Sequence, residues 1–319
     1  MILFLLSLLI GTILPITLAL GITMPFSGVL IRYRANYTPK RGVHLEDEGF
    51  HETRAETDSY FGMMRRVHRL EGWAGLYKGI MPSIIATLIA MVALSPFAIF
   101  LSMGHKVLPG GRVVIPTPSG LVLWILSFAL TVIPALLVIP MQIITNRTIT
   151  TPHKLSAFAP KAALHLLLSP AERAHPWKLY FAPGVGLSEF LQGLVSPTLA
   201  LLLRFVPGLY LSHRLPVLLA SLPVIALMTL LLTPLQVMGA RLTLQRLDAA
   251  ASADDALDAA PPAYGEEEVM EFRTQQAPYT GLFDCGRQMV EEEGWRTLLR
   301  AWWVTPFFMV TSVVLSTAS

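Results

Sequence analysis

One acidic residue of this 319-residue chain stands apart from the rest. Of 21 Asp and Glu residues, 7 fall between 32 and 78, 1 between 146 and 178, and 12 between 241 and 300. The remaining one, Glu189, lies in the string Gly184-Val-Gly-Leu-Ser-Glu-Phe-Leu-Gln. An ionisable group inside an apolar helix is costly to bury, which makes it a functional candidate. There it would bind a cationic group or carry a proton. The alternative is an acid at a helix start, where the helix dipole favours negative charge. A second pattern is cationic: Pro25 and Arg32, Pro140 and Arg147, and Pro234 and Arg241 are each seven positions apart. Signals of catalysis are missing. The chain has no Gly-x-x-x-x-Gly-Lys-Ser/Thr loop, no Gly-x-Ser-x-Gly elbow and no His-Glu-x-x-His. Its eight histidines form no i, i+4 pair, so neither an enzyme nor a metal or cofactor site is expected. Cys285 is the only cysteine, which excludes an intramolecular disulfide.

The elements that hold these residues are set by hydropathy. Hydrophobic residues make up 53% of the chain and charged residues 14%, with a mean hydropathy of +0.57. A soluble domain carries about 25% charged residues, so this surface needs lipid. Apolar stretches run over 1–31, 80–104, 113–145, 179–211, 215–240 and 298–318. Each reaches the roughly 20 residues that span a bilayer as a helix, and none alternates as barrel strands do. Residues 1–31 read as a retained first membrane helix. The expected fold class is an all-α membrane protein with six transmembrane helices.

That count leaves three large loops on one side, at 32–78, 146–178 and 241–300. They hold 9, 5 and 6 of the 24 Lys and Arg residues, or 20 in all. Lys106, Arg112, Arg204 and Arg214 fall toward the other side. Such asymmetry orients a membrane protein, with both termini on the positive-poor side. A net charge of +3 is therefore a topology signal, and no nucleic-acid partner is expected.

The proline strings repeat along the chain, 115 and 94 residues apart. A second string follows two of them, Glu71-Gly-Trp-Ala-Gly-Leu-Tyr-Lys-Gly79 and Glu293-Gly-Trp-Arg-Thr-Leu-Leu-Arg-Ala301. Between them stands a worn version, Pro176-Trp-Lys-Leu-Tyr-Phe-Ala-Pro183. Upstream of Glu293, residues 279–290 read as a short amphipathic helix, and 59–70 take the equivalent place in the first repeat. The whole pattern resembles the mitochondrial carrier family, whose repeat is similar to Pro-x-acid-x-x-base-x-base, a surface helix, then acid-Gly, four residues, an aromatic, a base and Gly. The resemblance implies a pseudo-threefold six-helix bundle around a central cavity, with short helices on the matrix face. The repeats are 1–104, 113–212 and 215–319, the last with an acidic insertion at 248–276 that is expected to be disordered. The prolines would kink the odd helices at matching depth.

The sequence departs from the family pattern at the gates. The acid positions hold Ser27, Gln142 and Gln236, and the first base is replaced by Leu30, Thr145 and Gly239. Arg32, Arg147 and Arg241 thus have no carboxylates within their own motif, and neutral partners would latch the gate loosely. The opposite gate, near Phe100 to Lys106 and Tyr210 to Arg214, shows an aromatic and a base but no acid. Seven residues past Gly79, Ala182 and Ala301, the resemblance places substrate contacts at Ala86, Glu189 and Phe308. No cation stands there, so a strongly anionic metabolite is not expected. Helix starts at Tyr279 and Gly281, and at Lys78-Gly79 and Arg300, suit phosphate. The resemblance implies cardiolipin there; a plain interfacial anchor is the alternative.

The functional expectation is a solute transporter of a mitochondrial membrane, the inner rather than the outer, with the lipid bilayer and a small-molecule solute as partners. The alternative is a carrier-derived scaffold for membrane fusion, insertion or assembly, which the worn gates favour.

Overall fold

A computed structural model describes residues 11, 14–40, 58–103, 106–107, 113–114, 120–155, 160–204, 214–247, 264–265, 267–273 and 278–316. Each apolar stretch carries one long helix: α1 (Leu14–Ala35), α3 (Ile80–Met103), α4 (Gly120–Thr150), α7 (Val185–Arg204), α8 (Arg214–Leu244) and α10 (Val304–Ser316). Between them run α2 (Tyr60–Leu76), α5 (Pro160–Leu167), α6 (Pro170–Ala174) and α9 (Leu282–Glu292), with 3₁₀ turns at Pro176–Phe181 and Trp295–Leu299. A two-residue antiparallel ladder, β1 (Lys106–Val107) with β2 (Val113–Val114), lies between α3 and α4. Among the described residues two helices are long and apolar enough to cross a membrane, or up to four if each bent pair is one span.

α1, α4 and α8 pack against one another in a triangle. α3 lies against α1 and α4, α7 against α4 and α8, and α10 against α8. The connecting helices are amphipathic for a simple reason. α2 buries Tyr60, Met63 and Val67, and α9 buries Leu282, Cys285 and Met289, the same three-then-four spacing that keeps one helix face inward. Phe61 and Phe283 remain exposed on the outer faces. Ser59 caps α2 by accepting from Gly62 N at 3.0 Å. One core cluster joins Ile143 of α4, Val185 of α7, Val237 of α8 and Met289 of α9, so the connecting helices are part of the bundle. Trp73, Trp177, Trp295 and Trp302 stand exposed where these helices meet the long ones, the level at which aromatic rings favour a membrane interface.

Three expectations need correction. The first helix does not end at 31: α1 continues to Ala35, because Arg32 and Arg34 are buried rather than solvated. Residues 1–10, 12 and 13 lie outside the described residues. The second concerns the kink of α4: Pro140 lies inside the helix, but the 45° bend falls between Pro134 and Leu136, a turn earlier than the proline of the repeated string.

The third concerns the insertion at 248–276. Residues 248–263, 266 and 274–276 lie outside the described residues, but 264–265 and 267–273 are held in place and form a strap. Val269 and Met270 are buried in one cluster with Val67 and Ala35. Arg66 donates to Glu268 O at 2.8 Å and Val269 O at 3.1 Å and pairs with Glu267 at 2.6 Å. Tyr37 N donates to Glu271 O at 3.1 Å, Tyr264 N donates to Pro152 O at 3.2 Å, and Arg273 pairs with Glu292 at 2.7 Å. The strap thus touches segments that follow α1 and α4, and α9. Composition hid this, because main-chain groups make much of the attachment.

Candidate functional site

The C-terminal ends of α1, α4 and α8 bring the three repeated arginines into one ring. Arg32 Nε donates to Ile149 O at 2.9 Å, Arg147 Nε to Thr243 O at 3.1 Å, and Arg241 Nε to Arg34 O at 3.5 Å. Each acceptor lies two residues beyond the next arginine, so the three bonds close a circle. A further set of acceptors lies another two residues on. Arg147 Nη2 reaches Gln245 O at 2.7 Å, Arg241 Nη2 reaches Asn36 O at 2.8 Å, and Lys78 Nζ reaches Thr151 O at 2.7 Å. These carbonyls are last-turn and post-helix groups without intrahelical donors, which cations satisfy well.

Each guanidinium also meets a carboxylate. Arg32 pairs with Glu71 at 2.5 Å, Arg147 with Glu172 at 2.7 and 2.9 Å, and Arg241 with both oxygens of Glu293. All six side chains are at most 4% exposed. The acids come from outside the proline motifs. Glu71 and Glu293 open the second string, while Glu172 was not singled out in the sequence. It is the one acid between 146 and 178, and Ser169-x-x-Glu172 forms a capping box at the start of α6. That signature could have found it. Burial raises the Glu172 carboxyl, but Arg147 and the amides of Ser169 and Leu247 outweigh it and hold the group below its ordinary range. The latch is therefore charged, where Ser27, Gln142 and Gln236 alone would have made it neutral.

The residues expected at lipid sites are drawn into this network. Lys78 Nζ lies 2.6 Å from Glu71, and 4.3 Å above the Tyr264 ring. Arg300 contacts Asn36 O and Thr38 Oγ1 and lies 3.6 Å from Glu293. Tyr279 is buried and exchanges two main-chain bonds with the Gln245 amide. Gly281 caps α9 without a side-chain bond. Gly79 is backbone-limited: φ is +87° and a Cβ would come 2.8 Å from Ile149.

The gate and cavity positions separate. Ser27 bonds back to Met24 alone, to its O at 3.2 Å and its Sδ at 3.7 Å, and Thr145 to Met141 O at 2.7 Å. Gln236 Oε1 accepts from Thr305 Oγ1 at 3.1 Å, and that hydroxyl accepts from Thr233 Oγ1 at 3.3 Å. Gln142 Nε2 donates to Glu189 Oε1 at 2.9 Å, joining one expected gate residue to one expected cavity residue. No cation pairs with Glu189 among the described residues. Ala86 is half-buried and Phe308 exposed. The seven-residue count to Glu189 is two short of register, because the left-handed residue matching Gly79 and Ala301 is Gly184, at φ +74°, rather than Ala182.

No protein-family model matches the chain, and no curated protein sequence matches it.

Proposed function

We propose that the chain is a carrier-like solute transporter of a mitochondrial membrane, the inner rather than the outer. In this reading six helices span the bilayer as three repeats, 1–104, 113–212 and 215–319, around a central path. The cyclic order of the arginine bonds supports the threefold repeat. The location rests on the resemblance of the repeats alone. Transport is carried by one observation: Glu189 of α7 holds only the Gln142 amide of α4, at 2.9 Å, with no cation partnered among the described residues. A carboxyl left without a counter-ion between two packed helices suits a cationic group or a proton of a passing solute. The arginine ring would close the path on the loop face, and cargo would pass when the pairs part. Purified protein reconstituted in liposomes tests this: Glu189→Gln keeps the shape, and uptake should fall about tenfold, the factor that ~1.4 kcal/mol of lost interaction gives. Unchanged uptake by a folded variant removes Glu189 from the mechanism.

The second reading is a carrier-derived scaffold in membrane fusion, insertion or assembly. The strap at 264–273 favours it, since it ties segments of all three repeats together across the loop face and resists their separation. No uptake of any solute by the parent protein decides for the scaffold.

A further inference from the structure

Among the described residues, the buried cations Arg32, Arg66, Lys78, Arg147 and Arg241 each meet a carboxylate. Arg34 does not. Its residue is 7% exposed, its Nε has no partner, and its one hydrogen bond runs from Nη2 to Thr305 Oγ1 at 3.4 Å, the long limit of such a contact. An isolated buried guanidinium is costly unless an anion compensates it. Nor does the threefold pattern require a cation here. Position 34 follows its ring arginine by two, as Ile149 and Thr243 do. Ile149 is a buried apolar residue, and the Thr243 hydroxyl is satisfied by Ala240 O and Asn146. Only the first repeat puts an uncompensated charge at this place.

The surroundings of Arg34 are polar. Thr305 of α10 links it to Thr233 and Gln236 of α8, so a guanidinium, two hydroxyls and an amide converge where α1, α8 and α10 meet. We propose that Arg34 and Thr305 form a binding site for one oxyanion, a carboxylate or a phosphate, of a solute or of a lipid headgroup, with Gln236 Oε1 holding the Thr305 hydroxyl when the anion is absent. Arg34 supplies the charge and a planar pair of donors, its Nε and one Nη. The Thr305 hydroxyl turns from Gln236 to the incoming oxygen. A single guanidinium fits a single anionic group, which agrees with the lack of further cations at the expected cavity positions. Binding at this site does not require transport.

The test uses the full chain in phosphatidylcholine nanodiscs, with its melting temperature followed under added sodium acetate or inorganic phosphate against sodium chloride of equal ionic strength. A parallel set of discs contains phosphatidylglycerol. Two variants are compared, Arg34→Leu, which copies the apolar residue of the second repeat, and Thr305→Val. Without added anion, Arg34→Leu melts at or above the parent, since it removes an unpaired buried charge. With anion, the parent gains several degrees, Arg34→Leu gains none, and Thr305→Val needs at least about tenfold more anion for the same gain. A gain from acetate or phosphate identifies a solute site, and one confined to phosphatidylglycerol discs identifies a headgroup. No gain beyond chloride in either disc, an equal gain in Arg34→Leu, or a fall of several degrees in that variant without anion overturns the proposal.

Discussion

Arg147 and Glu172 meet edge to edge, Nη1 to Oε2 at 2.7 Å and Nη2 to Oε1 at 2.9 Å, and neither side chain is more than 4% exposed. The remaining capacity of both groups is used. Arg147 also serves Thr243 O, Leu167 O and Gln245 O, and Glu172 accepts from the amides of Ser169 and Leu247. One ion pair thereby fixes the ends of α4 and α8 and the start of α6.

Breaking this pair should cost more than removing it. Glu172→Gln leaves Arg147 buried and uncompensated, and the expected loss is about 3–5 kcal/mol. The double change Arg147→Met with Glu172→Leu should recover most of it, because apolar replacement of a buried pair is often neutral. Thermal unfolding in detergent compares the two. A double variant no more stable than the single one would show that the pair itself carries the stability.

Acid should loosen the same region. Glu172 is held below its ordinary value with Arg147 as the favourable partner, and Glu292 is held down by Arg273. A carboxyl whose folded pKa is depressed contributes stability that is fully present above its unfolded value. That stability is lost as pH falls through the folded value. Melting temperature should therefore be level above about pH 5 and fall below about pH 4, the ordinary carboxylate range. In Glu172→Gln the fall should be shallower, and an unchanged slope would assign the acid response to other groups.

The strap divides the insertion into two parts with opposite expectations. Met270 is 3% exposed, so Met270→Ala should cost about 2–5 kcal/mol. Removing 249–260, a stretch rich in Ala and Asp, should leave the melting temperature within a few degrees of the parent. Equal effects of the two changes would refute the division.

Topology is open to a direct measurement. If six helices span the bilayer, with 20 of 24 basic residues in the three large loops, tags at both ends should be protected together from protease added on the loop side. Tags digested from opposite sides would exclude an even number of spans.

Much of the architecture is local, and it was legible for that reason. Helices need only bonds between neighbouring turns and an apolar run, so hydropathy alone placed α3 and α8 within four residues of their observed bounds and α4, α7 and α10 within seven. The seven-residue spacing of Pro and Arg marked three equivalent helix ends, and the acids of Glu71-Gly and Glu293-Gly were visible as repeated strings. Pairing is not local. The carboxylates reach their arginines across 39, 25 and 52 residues, and the loops between them differ so much that no fixed spacing connects the partners. Glu172 therefore stands in no repeated string, and the proline motifs alone spell a neutral latch. Packing also decided that Gly184 rather than Ala182 takes the left-handed turn, that Met270 is core, and that Arg34 meets no carboxylate among the described residues. A sequence specifies which groups carry charge, and only the meeting of distant helix ends determines which charges are answered.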